Sequence, residues 1–177
     1  MHKAGFKWIH FGIESGSQKV LNNNNKNFDI GYAKQVIKEV KEIGFRVRTS
    51  FIFDLPTTTK EDMQKTINFI LETEPDEIRG HFLALRLGTT IYNKLAKEKE
   101  IPTQYIHSDK PLIENEKYTN SEMLQDIETL ISKLKDKGYK IVKNVKEWKN
   151  LESLRNKEGK IKFLSFCPSK YGIDWEK

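Results

Sequence analysis

Hydrophobic and polar positions change period several times along the first hundred residues. Residues 7–13 are rich in β-branched and aromatic types and run into Glu14-Ser15-Gly16-Ser17, which predicts a strand followed by a tight turn and a helix start. From Asp29 onward, Ile30, Ala33, Ile37 and Val40 recur at helical spacing and Gly44 follows, so an amphipathic helix capped by Asp29 is expected. Residues 45–55 alternate again as a second strand, closed by Pro56 and a threonine run. Thr58 with Glu61 gives a capping-box pattern ahead of Met63, Ile67, Ile70 and Leu71. That helix ends at Glu74-Pro75-Asp76. Residues 78–87 supply a third strand, Gly88-Thr89-Thr90 turns the chain, and 91–99 read as helix.

Strands alternating with helices of this length predict βαβ units around a parallel sheet. The expected fold class is α/β: a partial, half parallel βα barrel of three βα units over residues 1–99, with a smaller α+β extension over 100–177. In that extension, residues 101–118 hold prolines and no clear period, and read as a long loop. Thr119 and Glu122 form a second capping box; Met123, Leu124, Ile127, Leu130, Ile131 and Leu134 trace a helix face stopped by Gly138. Short strands are expected at 139–142 and 161–166, around a helical stretch near Trp148. No internal repeat stands out, and Asn22 to Asn25 read as a loop or frayed helix end.

Side chains alternate across a strand, so Ile9, Phe11 and Ile13 share one face of the first strand while His10, Gly12 and Glu14 share the other. The second strand repeats the contrast: Val47, Thr49, Phe51, Phe53 and Leu55 lie together, and Arg48, Ser50, Ile52 and Asp54 oppose them. Helices cover an apolar face, which leaves the polar one as the interior of a half-cylinder, where charged groups need partners or a bound polar ligand. His10, Glu14, Arg48, Ser50 and Asp54 are therefore candidate lining residues, joined by His81 on the third strand. The alternative is that these groups pair with one another or face water in an open sheet.

Composition narrows the chemistry. With 177 residues, 37% of them hydrophobic, the chain is long enough for one ordinary core. No run of eighteen apolar residues exists, so membrane insertion is not expected, and the mixed segment after Met1 predicts a cytoplasmic protein rather than an exported one. The single cysteine, Cys167, excludes an internal disulfide and any all-cysteine metal or iron-sulfur site built by one copy of the chain; no metal ligand set is expected. The formal charge of +6 favours phosphate-bearing partners, yet the lysines sit beside glutamates, as in Lys38-Glu39 and Lys97-Glu98-Lys99-Glu100. Mixed faces of that kind argue against nucleic-acid binding without excluding it. No serine, histidine and acid arrangement suggests a hydrolase.

The run Ala4-Gly5-Phe6-Lys7-Trp8-Ile9-His10-Phe11-Gly12-Ile13-Glu14-Ser15-Gly16-Ser17-Gln18-Lys19-Val20-Leu21 resembles the fourth strand and following loop of radical S-adenosylmethionine (SAM) enzymes. The subgroup it most resembles often carries an upstream cobalamin-binding domain. The resemblance continues through Asn25-Lys26, Phe51-Ile52-Phe53-Asp54-Leu55-Pro56 and Gly88-Thr89-Thr90-Ile91-Tyr92. It implies that Glu14 and Ser15 lie where the ribose and methionine parts of SAM are held, that Lys26 offers a cation to the SAM carboxylate, and that Ser50 faces the ribose. It also implies that the third strand flanks the adenine, with His10, Arg48, Asp54 and His81 toward substrate. No residue of this chain is assigned a catalytic role; the chain would contribute positioning.

Three departures bear on these expectations. Asp54-Leu55-Pro56-Thr57 replaces the usual Gly-Leu-Pro-Gly, losing two glycines that allow close backbone approach. Leu85-Arg86-Leu87 and Asn27 replace a proline-rich segment and a glycine. The three-cysteine motif that binds a [4Fe-4S] cluster in this family does not occur in the chain. The expectation is a truncated or split core, inert for SAM cleavage unless a cysteine-bearing half is supplied. Its partner would be a complementary N-terminal barrel half, or a second copy paired through the exposed first strand. The competing expectation is a non-catalytic module of the same fold that binds a nucleotide-like ligand or RNA.

Overall fold

The computed structural model describes residues 1–98, 111, 118–142, 147 and 161–166. After a short 3-10 turn at His2–Ala4, the elements run β1 (Trp8–Glu14), α1 (Gln18–Asn23), α2 (Ile30–Glu42), β2 (Arg46–Ile52), α3 (Lys60–Thr73), β3 (Glu77–His81), α4 (Thr90–Glu98), α5 (Asn120–Asp136), β4 (Lys140–Val142) and β5 (Phe163–Phe166). The five strands form one sheet in the order β1-β2-β3-β5-β4, and every pairing is parallel. This is the α/β, part-barrel arrangement that the alternation of elements predicts. Elements α5, β4 and β5 of the extension join the same sheet and core rather than standing apart. The loop at 101–118, apart from Pro111 and Tyr118, and the stretch near Trp148 fall outside the described residues.

Local chemistry explains the boundaries. The Asp29 carboxylate accepts from Tyr32 N–H at 2.7 Å and starts α2, and Gly44 takes a left-handed φ of 100° to release the chain into β2. The capping box of α3 is Thr59 with Asp62, one residue later than the sequence spacing suggests. In a run of three threonines the register is ambiguous; here Thr58 is spent on the preceding turn, its hydroxyl donating to Leu55 O at 2.7 Å. β3 stops at His81 rather than reaching residue 87, because Leu83 and Leu85 turn into a second apolar cluster with Val20, Leu55 and Tyr92. The Thr119 and Glu122 box of α5 is as expected.

Helices α2, α3 and α5 bury one face of the sheet. Ile13, Val47, Phe51, Ile78 and Leu164 from the strands meet Ile37, Met63, Ile67, Ile70, Ile127, Leu130 and Leu134 from the helices. Each such side chain contributes roughly 1.5–3 kcal/mol on full burial, so this face anchors the wall. Gly80 is where the rings of Phe53 and Phe166 close over β3: a Cβ there would lie 2.7 Å from Phe53 and 2.9 Å from Phe166. No helix among the described residues is long and apolar enough to cross a membrane.

Candidate functional site

The opposite face of the sheet carries the polar side chains, in rows set by strand register. His10, Arg48 and Glu77 align across β1, β2 and β3; Gly12, Ser50, Arg79 and Ser165 align one row nearer the strands' C-terminal ends. Glu77 is fully buried, and both guanidinium groups reach it: Arg48 Nη2 at 2.6 Å and Arg79 Nε at 2.8 Å. A buried carboxylate is tolerable only with such partners. At the entry to the strands, Arg46 and Arg48 lie over the Trp8 ring, 4.4 and 5.4 Å from its centroid.

Linking the two rows, His10 Nε2 and Ser50 Oγ share a hydrogen bond of 2.5 Å. Partial burial, followed by the nearby charges of Arg48 and Arg79, holds the His10 imidazole below the usual histidine range. It is therefore neutral at physiological pH. In the same row as Ser50, Ser165 has a buried hydroxyl without a hydrogen-bond partner among the described residues.

Glu14 closes β1. A bulge breaks the register between Gly12 and Glu14, and Glu14 adopts φ 67°, a left-handed conformation unusual for a residue with a side chain. Its carboxylate folds back over Gly12, with Oε1 only 3.0 Å from where a Gly12 Cβ would stand. Past the bulge Glu14 is in register with Phe51, so alternation no longer assigns its face; the approach of Oε1 to the Gly12 Cβ position brings the carboxylate beside Gly12, the register partner of Ser50. Lys26 Nζ donates to Glu14 Oε1 at 3.3 Å. A carboxylate beside an ammonium is the complement of an amino-acid zwitterion, whose ammonium and carboxylate can replace this ion pair one for one.

The remaining sequence candidates lie elsewhere. Ser15 is buried on the α3 side, its hydroxyl 3.3 Å from Thr66 Oγ1 and accepting from Ser17 N–H at 3.2 Å. Asp54 is turned inward at the loop after β2, where Leu83 N–H donates to its Oδ1 at 2.5 Å; it braces two loops instead of lining the wall. Thr57, at the other replaced glycine, keeps a left-handed φ of 70° and accepts from Asn23 Nδ2 at 3.0 Å. His81 is half-buried at the top of β3, in register with Ile52. Glu77, Arg79, Trp8 and Arg46 escaped the sequence reading. Alternation through Glu77-Ile78-Arg79-Gly80-His81 carries the signal, but Glu74-Pro75-Asp76 reads as a helix end and masks the first residue of the strand. On the outer side, a groove of about 710 Å³ runs between α2 and α3, lined by Gly31, Lys34, Ile37, Lys38, Lys41 and Glu72; Lys34 pairs with Glu72, and Lys41 caps the carbonyls of Thr73 and Glu74.

Residues 1–70 match the family model of the Radical SAM superfamily. A putative methylthiotransferase of Methanocaldococcus jannaschii is 38% identical over 71 residues, 40% of this chain and 16% of that protein. A probable threonylcarbamoyladenosine tRNA methylthiotransferase of the same organism is 26% identical over 137 residues, 75% of this chain and 28% of that protein. A tRNA-2-methylthio-N(6)-dimethylallyladenosine synthase of Buchnera aphidicola is 35% identical over 65 residues, covering 36% of this chain and 15% of its own length. The matched part of the chain thus spans less than a third of each of these relatives.

Proposed function

We propose that this chain, whose residues 1–70 match the Radical SAM superfamily model, is part of a radical SAM enzyme that transfers a methylthio group to a tRNA nucleoside, and that its β1–β3 wall holds the amino-acid end and ribose of SAM. The superfamily match agrees with the resemblance read from residues 4–95; the methylthio transfer and the tRNA enter from what the relatives are named for. A cobalamin-associated subgroup forms no part of the proposal.

The observation that carries the reading is the Glu14–Lys26 pair at the C-terminal end of β1, with the Glu14 carboxylate beside Gly12, the register partner of Ser50. Open α/β sheets bind ligands beyond the carboxyl ends of their strands, and Gly12 leaves the room that the Glu14 carboxylate occupies. The residues present fit SAM: Glu14 would accept from the α-ammonium or the ribose hydroxyls, Lys26 would pair with the α-carboxylate, and Ser50, bonded to His10, would offer a hydroxyl to the ribose. Bound there, SAM supplies the hydrogen-abstracting chemistry of the superfamily. Farther down the wall, Arg48, Glu77 and Arg79 form a rigid charged floor, with His10 and His81 on the side proposed for substrate.

A [4Fe-4S] cluster is a different matter. It needs converging thiolates, and the chain has one cysteine, Cys167, outside the described residues. The chain's own residues do not fit the cluster. β1 is an edge of the described sheet, and pairing of that edge with a complementary barrel half or a second copy belongs to the proposal, as does a cytoplasmic setting.

Calorimetric titration of the chain with SAM tests the reading. Saturable binding is expected, and Glu14→Gln should weaken it by about 10- to 100-fold, since a hydrogen bond to a charged group is worth roughly 1.5–3 kcal/mol. Absence of binding by the wild-type chain, or equal affinity in Glu14→Gln, would refute it.

A further inference from the structure

We propose that Asp62, which lies off the polar face, is a positioning residue that locks the β1–α1 turn onto α3 and so keeps the Glu14 carboxylate over Gly12. The inference rests on the reading of Glu14 as a SAM-holding group. Its starting point is the backbone of Glu14, whose φ of 67° is disfavoured for any residue with a Cβ. Such a conformation persists only where the surroundings over-determine it. Something next to Glu14 must therefore resist relaxation toward an ordinary extended strand end.

The residues that follow supply that resistance, and all of them act on α3. Ser15 N–H turns back to Ile13 O at 2.8 Å, while Gly16 N–H donates to Thr66 Oγ1 at 2.9 Å. Gly16 is pressed so closely on the helix that a Cβ would sit 2.6 Å from both Lys65 O and Thr66 Cα. Ser17, the N-cap residue of α1, donates its hydroxyl to Asp62 Oδ1 at 2.6 Å. Lys19 Nζ meets Asp62 Oδ2 at 3.1 Å. The Thr66 hydroxyl that receives Gly16 itself donates to Asp62 O at 3.1 Å.

Asp62 is also the N3 residue of the α3 capping box, where its Oδ2 accepts from Thr59 N–H at 3.1 Å and Thr59 Oγ1 at 2.9 Å. One carboxylate, 2% exposed, thus accepts hydrogen bonds from Ser17, Lys19 and twice from Thr59. Only an ionised carboxylate has acceptor sites for all of these. An asparagine would set an N–H₂ group against donors. The start of α3 and the path of the β1–α1 turn are consequently fixed by the same side chain, and Glu14 is oriented through it without contact.

Separate halves of this junction can be removed in the full chain. Ser17→Ala cuts the tie to the turn and leaves the capping box; Thr59→Ala cuts the capping box and leaves the tie; Asp62→Asn damages both. Amide hydrogen exchange without ligand and SAM affinity are measured for each, with thermal melting to follow stability. Ser17→Ala and Asp62→Asn should speed exchange at the 14–18 amides at least tenfold and weaken SAM binding about tenfold. Thr59→Ala should melt earlier yet keep turn protection and affinity within twofold. In a Glu14→Gln background, Ser17→Ala should cost no further affinity, the signature of action through Glu14.

Unchanged exchange in Ser17→Ala, or affinity losses that simply track melting temperature across the three variants, would overturn the positioning role. Failure of the wild-type chain to bind SAM would instead refute the reading of Glu14, and the exchange measurements would still decide whether Asp62 fixes the turn.

Discussion

Replacing Glu77 by glutamine removes a negative charge that Arg48 and Arg79 share at the floor of the polar face. Glu77 is 0% exposed, and its partners stand 2.6 and 2.8 Å away. Breaking a buried ion pair from one side costs about 3–5 kcal/mol, because the remaining charge stays desolvated. The two arginine side chains are 19% and 27% exposed, so solvent screens them in part, and about 3 kcal/mol is expected. For a chain of 177 residues that corresponds to a fall in melting temperature of about 6–12 °C. Urea unfolding followed by circular dichroism measures it. Lys34→Ala, which cuts a half-exposed surface pair with Glu72, is the control and should change stability by less than about 0.5 kcal/mol. Adding Arg48→Met to a Glu77→Met variant should recover part of the loss. If Glu77→Gln is no more costly than Lys34→Ala, the floor is not held by this charge cluster and the reasoning fails.

Gly16→Ala should destabilise by about 2 kcal/mol, within the usual range for overpacking, since the new methyl meets the α3 backbone at 2.6 Å; denaturant midpoints at constant m-value check it. Acid should act through Asp62 and Glu74. Burial pushes the Asp62 carboxyl up, but hydrogen bonds from Ser17, Thr59 and Lys19 outweigh it and bring it down from 3.8 to about 2; hydrogen bonds from Lys137 and Lys162 bring Glu74 from 4.5 to about 2. Both folded values lie below the unfolded ones, so the stabilisation is present above about pH 4 and is lost as pH falls toward 2. For buried Asp62 that is about 2 kcal/mol; for Glu74, about a third exposed, it is less. Asp62→Asn should flatten the slope of stability against pH between 4 and 2, and an unchanged slope would contradict the assignment.

The sequence speaks plainly where one periodicity dominates. Asp29, the Ile37 stripe, and the Thr119 and Glu122 box locate α2 and α5 because capping and amphipathic spacing are local. The face of β1 and β2 is also legible, since His10, Arg48 and Ser50 alternate with Val47, Thr49 and Phe51. Side-chain direction at strand ends is not. Asp54 follows the alternation on paper, yet it leaves the strand at a turn and its carboxylate accepts from backbone; Ser15, named only through the resemblance, lies on the α3 side with Ile13. Asp62 was invisible because its function is a tertiary crosslink to Ser17, 45 positions away, and the threonine run hid even its capping register. Glu77 was lost for a similar reason: a helix-end motif and a strand start overlap in Glu74-Pro75-Asp76-Glu77.

The proposed SAM site is the polar face at the β1 and β2 strand ends. Titrating ¹⁵N-labelled chain with SAM while following amide chemical shifts locates the ligand directly. The largest shifts should fall on Gly12, Glu14, Lys26 and Ser50, and collapse in Glu14→Gln. Shifts confined to Gly31, Lys38 and Thr73, around the outer groove between α2 and α3, would contradict the account.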